Sequence, residues 1–131
     1  MLKKLMSIVL SALMCTGCAG ISNNNQTNTY RSITMDEAVT MMSRKTGYII
    51  LDVRRPDEFS AGHIPNAINV PNETIGTAEI PELPDKDRLI MVYCRSGRRS
   101  KEAAEKLVKL GYTNIVEFGG ILDWKGEITI D

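Results

Sequence analysis

Four short apolar runs, separated by segments with helical patterning, constrain the fold of this chain more than any other feature. The runs cover residues 48–53, 67–70, 89–93 and 115–118. Three of them are almost uninterrupted, as strands of a parallel sheet are when helices cover both of its faces. Residues 30–33 are compatible with a further edge strand. The sequence therefore predicts one α/β domain over residues 30–131, with a central, mostly parallel sheet of about five strands and helices on both faces.

The segments between the apolar runs carry signals for the starts of helices. Thr34 and Glu37 have the spacing of a capping box at the start of a first helix. Pro56 suits the first position of a second helix, and a longer third helix is predicted over residues 98–110. Residues 72–88 contain prolines and acidic residues that interrupt any long element, so they are predicted to form a surface loop with at most a short helical turn.

The first residues of the chain resemble an export signal. Residues 1–17 begin with a short cationic stretch and contain a mostly apolar run of ten residues from Leu5 to Met14. A stable membrane anchor needs about 18 apolar residues or more, whereas a shorter run fits the apolar core of a secretory signal peptide. We therefore expect residues 1–17 to be a signal peptide that is removed.

The predicted cleavage site resembles a bacterial lipobox, Cys15-Thr16-Gly17-Cys18, in which Cys18 would be lipidated. Cys15 stands where that pattern prefers Leu, so a simple signal-peptidase cleavage near Gly20 stays open. Residues 18–29 are polar and would form a tether. These features predict a location outside the cytoplasm, in the periplasm or at the cell surface, with a lipid anchor in a bacterial membrane.

Charge and cysteine counts exclude several classes of function. The chain has 16 Lys and Arg against 16 Asp and Glu, and this balance argues against a nucleic-acid binder. Three Cys and one His are too few for a zinc cage of Cys and His ligands, so neither a metal nor a cofactor is predicted. Once the signal peptide is removed and Cys18 is lipidated, Cys94 is the one free thiol.

Candidate catalytic residues follow the third apolar run. Cys94 is followed by Arg95, Ser96 and Gly97, and then by Arg98 and Arg99 where the third helix begins. Ligands of open α/β sheets bind beyond the carboxyl ends of strands, and Gly97 allows a tight loop whose backbone N–H groups converge on one point. The helix N-terminus and the arginines add positive charge. Because such surroundings favour a thiolate, Cys94 is expected to be substantially ionised within an anion-binding loop.

Four segments together resemble the single-domain rhodaneses, which are thiosulfate sulfurtransferases. Cys94 to Arg99 resembles the active-site pattern Cys-Arg-x-Gly-x-Arg of that family. Leu51 to Arg54, with Glu58 and Phe59, match the Asp-Val-Arg strand end of the family. Gly62 to Asn69 match its Gly-His-Ile-Pro signature. Gly119 and Gly120 with Trp124 match its Gly-Gly turn and Trp. The resemblance covers residues 32–126 and implies a rhodanese-like domain.

The resemblance implies covalent sulfur transfer through Cys94. The thiolate would attack the outer sulfur of a donor such as thiosulfate, sulfite would leave, and the persulfide would pass its sulfur to a thiol or cyanide acceptor. Arg95 and Arg99 match the donor-binding positions of the family. The substrate-binding loop as a whole would comprise Arg95, Ser96, Gly97, Arg98 and Arg99. No protein partner is implied, and a monomer is expected.

Residues of the other matching segments have predicted supporting roles. Asp52 is predicted to be a buried acceptor for a loop arginine or for backbone N–H groups. For Arg54, two roles stay open: binding the anionic donor, or forming a salt bridge to Glu58. His63 is predicted to be structural, because thiolate attack on thiosulfate needs no general base. Trp124 is predicted to lie in the core.

Two other functions stay open. A rhodanese-like module could serve a protein partner as a persulfide carrier or an anion-binding site, without efficient turnover. The second is a phosphatase or arsenate reductase, which uses a Cys-x5-Arg loop. Here the arginines stand four and five residues after Cys94, and Ser100 stands at the sixth position. A loop this short is expected to be too tight for phosphate and suited to a sulfur atom.

Overall fold

Five strands, all paired in parallel, form the central sheet of the computed structural model, which describes residues 29–131. The strands are β1 (Arg31–Ser32), β2 (Ile49–Asp52), β3 (Ile68–Asn69), β4 (Ile90–Cys94) and β5 (Ile115–Gly120). Their order is β1-β5-β4-β2-β3, so β4 is central and β1 is the predicted edge strand. The predicted signal peptide, Cys18 and the tether up to residue 28 lie outside the described residues.

Three α-helices and one short 3-10 turn connect the strands of the described part, and a second 3-10 turn follows the last strand. They are α1 (Met35–Arg44), α2 (Pro56–Ala61), α3 (Arg98–Lys109) and the turns Asn72–Thr74 and Ile121–Asp123. The predicted capping box is present, since the Glu37 N–H donates to the Thr34 hydroxyl at 3.1 Å and the Thr34 N–H donates to the Glu37 carboxylate at 2.8 Å. Across residues 29–131, no helix has the length and apolar character needed to cross a membrane.

Side chains of β4 alternate between the two faces of the sheet and thereby build two cores. The first cluster includes Ile90, Val92 and Cys94, together with Ala103 and Leu107 of α3. The second includes Met91 and Tyr93, together with Ala38 of α1. A central parallel strand covered on both sides is expected to be apolar throughout. The predicted α/β fold with helices on both faces is confirmed.

Trp124 packs against the second cluster without being buried in it. The ring is only partly buried, and its indole N–H donates to the Glu127 carbonyl at 2.9 Å. The residue follows the short turn Ile121–Asp123, which runs over the surface, so one edge of the ring stays in contact with solvent. The predicted core position is therefore corrected to one at the edge of the core.

The carboxyl ends of β4 and β5 approach each other closely at a break in their regular pairing. The register shifts between Val92 and Cys94, and Cys94 then pairs with Gly120. A Cβ atom at position 120 would overlap the backbone of Arg95 and Ser96. Only glycine permits this approach, so the second glycine of the Gly-Gly pair lets β5 support the backbone that follows Cys94.

We predict that Gly120→Ala destabilises the protein and displaces the loop after Cys94. Overpacking against a backbone that cannot move away costs about 1–3 kcal/mol, and the loss should be visible as a lower urea midpoint. Gly76→Ala is the matched control, because a Cβ there meets no atom within 4 Å. Equal midpoints for the two variants would contradict the close approach.

Candidate active site

Cys94 is the last residue of β4, and its thiol lies where the chain turns into α3. The side chain is 1% exposed, and the backbone N–H of Gly97 donates to Sγ across 3.0 Å. Gly97 adopts a φ of 120°, a conformation that residues with side chains rarely adopt. The sequence predicts several loop amides around the sulfur, whereas within residues 94–99 the amide of Gly97 is the one that donates to it.

The N-terminus of α3 begins directly after this contact. Gly97 is the N-cap residue and Arg98 is the first residue of the helix. The first amides of a helix have no acceptor within the helix, and together they carry a partial positive charge that attracts anions. An anionic sulfur on Cys94 therefore lies at the end of α3 that stabilises negative charge.

Glu117 is a buried carboxylate beneath the loop, and it is not among the residues predicted from the sequence. One carboxylate oxygen accepts hydrogen bonds from the Ser100 hydroxyl at 2.7 Å and the Gly119 N–H at 2.8 Å. The other accepts from the Ser32 hydroxyl at 2.8 Å. These bonds join β1, β5 and the first turn of α3. The available signal was a charged residue inside an apolar run, because a buried charge requires partners.

Arg99 is the loop arginine that forms a half-buried ion pair within the protein. Its guanidinium donates two hydrogen bonds to the Glu58 carboxylate, Nη1 to Oε1 at 2.7 Å and Nη2 to Oε2 at 3.1 Å. The bond to Glu58 is the main cause that raises the pKa of Arg99, and negative charge on Cys94 raises it further. In turn, Arg99 lowers the pKa of Glu58 to about 2. The arginine thus lies in the predicted donor-binding loop while already holding a carboxylate of the protein.

The other predicted loop residues lie nearer to solvent. Arg95 and Ser96 are exposed. Arg98 is exposed as well, and its guanidinium pairs with Glu102 one turn further along α3 at 3.0 Å. Their predicted part in substrate binding stays a prediction. We expect Arg98 to contribute less to substrate binding than the other arginines, because an exposed pair within one helix makes only a small electrostatic contribution.

Asp52 and Arg54 form a buried ion pair with each other. Arg54 Nη2 lies 2.6 Å from Asp52 Oδ2 and also donates to the Gly62 carbonyl at 2.7 Å. Asp52 further accepts from the Arg54 N–H at 2.9 Å and from the Tyr93 hydroxyl at 2.7 Å. Burial is the main cause that raises the pKa of Tyr93. This network fastens β2 to β4 one residue before the thiol.

The predicted alternatives for Arg54 are corrected by this network. Its partner is Asp52, and Glu58 is paired with Arg99 instead, so the predicted salt bridge to Glu58 is wrong. The guanidinium is buried and engaged by Asp52, which leaves the donor-binding alternative without geometric support. Asp52 is the predicted buried acceptor: it accepts the backbone N–H of Arg54, as one predicted alternative has it, and it pairs with the Arg54 guanidinium rather than with an arginine of the cysteine loop. A side chain two residues away reaches it more directly than the loop does.

His63 makes three contacts that hold it in place. Its Nδ1 atom lies 2.8 Å from the Phe59 carbonyl oxygen, and its ring stacks on the Phe59 ring at 3.7 Å between centroids. Its backbone pairs with Thr129. These contacts agree with the predicted structural role.

Residues 34–127, which include Cys94 and its loop, match the family model of the rhodanese-like domain. Thiosulfate sulfurtransferase PspE of Escherichia coli (strain K12) is 37% identical over 73 residues, a match that covers 56% of this chain and 70% of the relative. Two fungal relatives, both named adenylyltransferase and sulfurtransferase, are longer proteins, and the match covers 26% and 22% of their lengths.

Two solved structures share the fold. A rhodanese with anions from E. coli is 32% identical with a TM-score of 0.58, and the alignment covers 64% of this chain and 99% of that one. A rhodanese-related protein from Thermoplasma volcanium is 31% identical with a TM-score of 0.64, covering 78% of this chain and 100% of that one. With its five-stranded parallel sheet and its cysteine loop between β4 and α3, the chain therefore belongs to the rhodanese-like sulfurtransferase family.

Proposed function

We propose that this protein moves a sulfane sulfur from thiosulfate to a thiophilic acceptor through a persulfide on Cys94. The observation that carries the proposal is the position of the thiol, with the Gly97 N–H 3.0 Å from Sγ and the N-terminus of α3 beside it. The relative PspE is named a thiosulfate sulfurtransferase, which supports the same class of donor.

The proposed reaction has two half-reactions. In the first, the Cys94 thiolate attacks the outer sulfur of thiosulfate, a bond forms between Sγ and that sulfur, and the S–S bond of the donor breaks. Sulfite leaves with the electron pair, so a thiolate and a dianion become an anionic persulfide and a dianion. In the second, a thiolate or cyanide attacks the outer sulfur of the persulfide and the Cys94 thiolate leaves. Covalent catalysis of this kind predicts ping-pong kinetics.

The loop supplies the electrostatic part of the proposed mechanism. The Gly97 N–H is already directed at Sγ, so stabilising an anionic sulfur there needs no reorganisation. Arg99 carries a positive charge that interacts with Cys94, and Arg95 and Ser96 lie exposed at the surface of the loop. We propose that Arg95, Ser96 and Arg99 bind the sulfonate oxygens of the donor.

We also propose that the reaction takes place outside the cytoplasm, on the basis of the export signal predicted in residues 1–17 and of Cys18 as a lipid anchor. A free thiol in an export compartment is exposed to oxidants. At 1% exposure, Cys94 is shielded from them. Its burial is therefore compatible with the proposed location.

We predict that Cys94→Ser abolishes sulfur transfer and leaves the fold intact. Serine is close to cysteine in size and accepts the Gly97 N–H, but it cannot form a persulfide. Intact-mass measurement after incubation with thiosulfate should show one added sulfur on the wild type and none on the variant. The variant should also form no thiocyanate from thiosulfate and cyanide, and retained thiocyanate formation would overturn the mechanism. One thiocyanate per Cys94 in the wild type, without turnover, would favour the persulfide carrier instead.

We predict that Arg99→Ala weakens the use of thiosulfate more than Arg98→Ala does. Arg99 is 17% exposed and Arg98 is 73% exposed, and charges near the surface are more strongly screened by solvent. We expect kcat/KM for thiosulfate to fall about tenfold or more for Arg99→Ala and about twofold or less for Arg98→Ala. Equal losses would mean that only the total charge of the loop matters.

A further inference from the structure

We propose that Glu58 is a specificity-determining residue of this site. By pairing with Arg99, Glu58 competes with doubly charged sulfur donors for the guanidinium and shifts the preference of the site toward donors of lower charge, such as persulfides of small thiols. The inference rests on the proposed function, because it concerns which donors load sulfur onto Cys94.

The Arg99 guanidinium has the geometry of an anion-binding group, and the Glu58 carboxylate already occupies it. Two parallel N–H···O bonds of 2.7 and 3.1 Å join the guanidinium to the carboxylate, the fork arrangement in which Arg also binds external anions. The two side chains are 17% and 16% exposed, so solvent screens the pair only in part. An oxyanion donor that approaches Arg99 therefore meets a carboxylate in the same place.

Glu58 is held in position independently of Arg99. It lies in the first turn of α2, and its carboxylate accepts the backbone N–H of Arg55 at 3.1 Å as part of the helix cap. A capping carboxylate is fixed by the helix it caps. A donor that binds Arg99 therefore does not displace the Glu58 carboxylate into solvent.

Glu58 carries a negative charge at neutral pH. The Arg99 hydrogen bond lowers the pKa of Glu58 to about 2, so the carboxylate stays ionised at neutral pH. Coulomb repulsion grows in proportion to the charge of the approaching donor. Glu58 therefore disfavours dianionic thiosulfate about twice as strongly, in free energy, as a monoanionic persulfide at the same distance.

A thiol persulfide delivers its sulfur by the same kind of step. The Cys94 thiolate attacks the outer sulfur of the monoanion R–S–S⁻, a bond forms between Sγ and that sulfur, and the S–S bond of the donor breaks. The thiolate R–S⁻ leaves with the electron pair, and Cys94 then carries an anionic persulfide. No oxidant, reductant or sulfonate group takes part, so Arg99 has less to contribute to binding this donor.

The test is Glu58→Gln, with thiosulfate and the persulfide of 2-mercaptoethanol as donors. The amide oxygen of glutamine can still accept the Arg55 N–H, so the cap of α2 is retained. Formation of the Cys94 persulfide is followed by quenched intact-mass measurement over a range of donor concentrations. We expect the half-saturating concentration of thiosulfate to fall about fivefold at low ionic strength, with a smaller gain in added salt. For the persulfide we expect a change of about twofold, and limiting rates should stay within about twofold for both donors.

Glu102→Gln is the matched control. Glu102 pairs with Arg98 through a bond of 3.0 Å, but the two side chains are 46% and 73% exposed, and the change should leave the half-saturating concentrations of both donors unaltered. A Glu58→Gln variant with an unchanged or weaker affinity for thiosulfate would overturn the inference, and so would an equal gain for both donors. These outcomes require a wild type that loads sulfur. A wild type that loads from neither donor would overturn the proposed function, and this inference with it.

Discussion

The contact between the end of β5 and the backbone after Cys94 is the constraint on which the site depends. Gly120 lies against the Arg95 backbone where no Cβ fits, and the Leu122 N–H donates to the Arg95 carbonyl at 3.2 Å. These contacts hold the backbone that follows Cys94, and Gly97 completes the turn with its N–H directed at Sγ. Backbone packing thus helps to set the position of the thiol.

Three of the positively charged side chains around the thiol have a carboxylate beside them. Arg98 pairs with Glu102, and Arg99 pairs with Glu58. Lys101, at the start of α3, lies 3.6 Å from the buried Glu117. The sequence predicts a strongly cationic loop, yet the structure offers few cations without a carboxylate beside them. Stabilisation of an anionic sulfur consequently depends more on the Gly97 amide and on the N-terminus of α3 than on the number of arginines.

The sequence was sufficient to predict the fold and the position of Cys94, because both depend on local patterns. Apolar runs of strand length define β2, β4 and β5, and the glycine after Cys94 indicates a turn into α3. The side-chain partners could not be predicted in the same way. Glu58 pairs with Arg99, 41 positions away, and the Glu117 carboxylate accepts hydrogen bonds from hydroxyl groups of two other elements. Such pairings depend on how the strands are ordered in the sheet, and that order cannot be inferred from the spacing of residues along the chain.

Burial and charge together bear on which sulfur donors the proposed reaction would accept. Cys94 is 1% exposed, so only a donor that presents a sulfur atom at its tip can bring it within bonding distance. Thiosulfate and a small thiol persulfide both meet this requirement, and size alone therefore does not separate them. In the role proposed for Glu58, charge separates them, because a carboxylate repels a dianion more strongly than it repels a monoanion. The proposed selection therefore depends on the ion pair between Glu58 and Arg99 and not on the size of the donor.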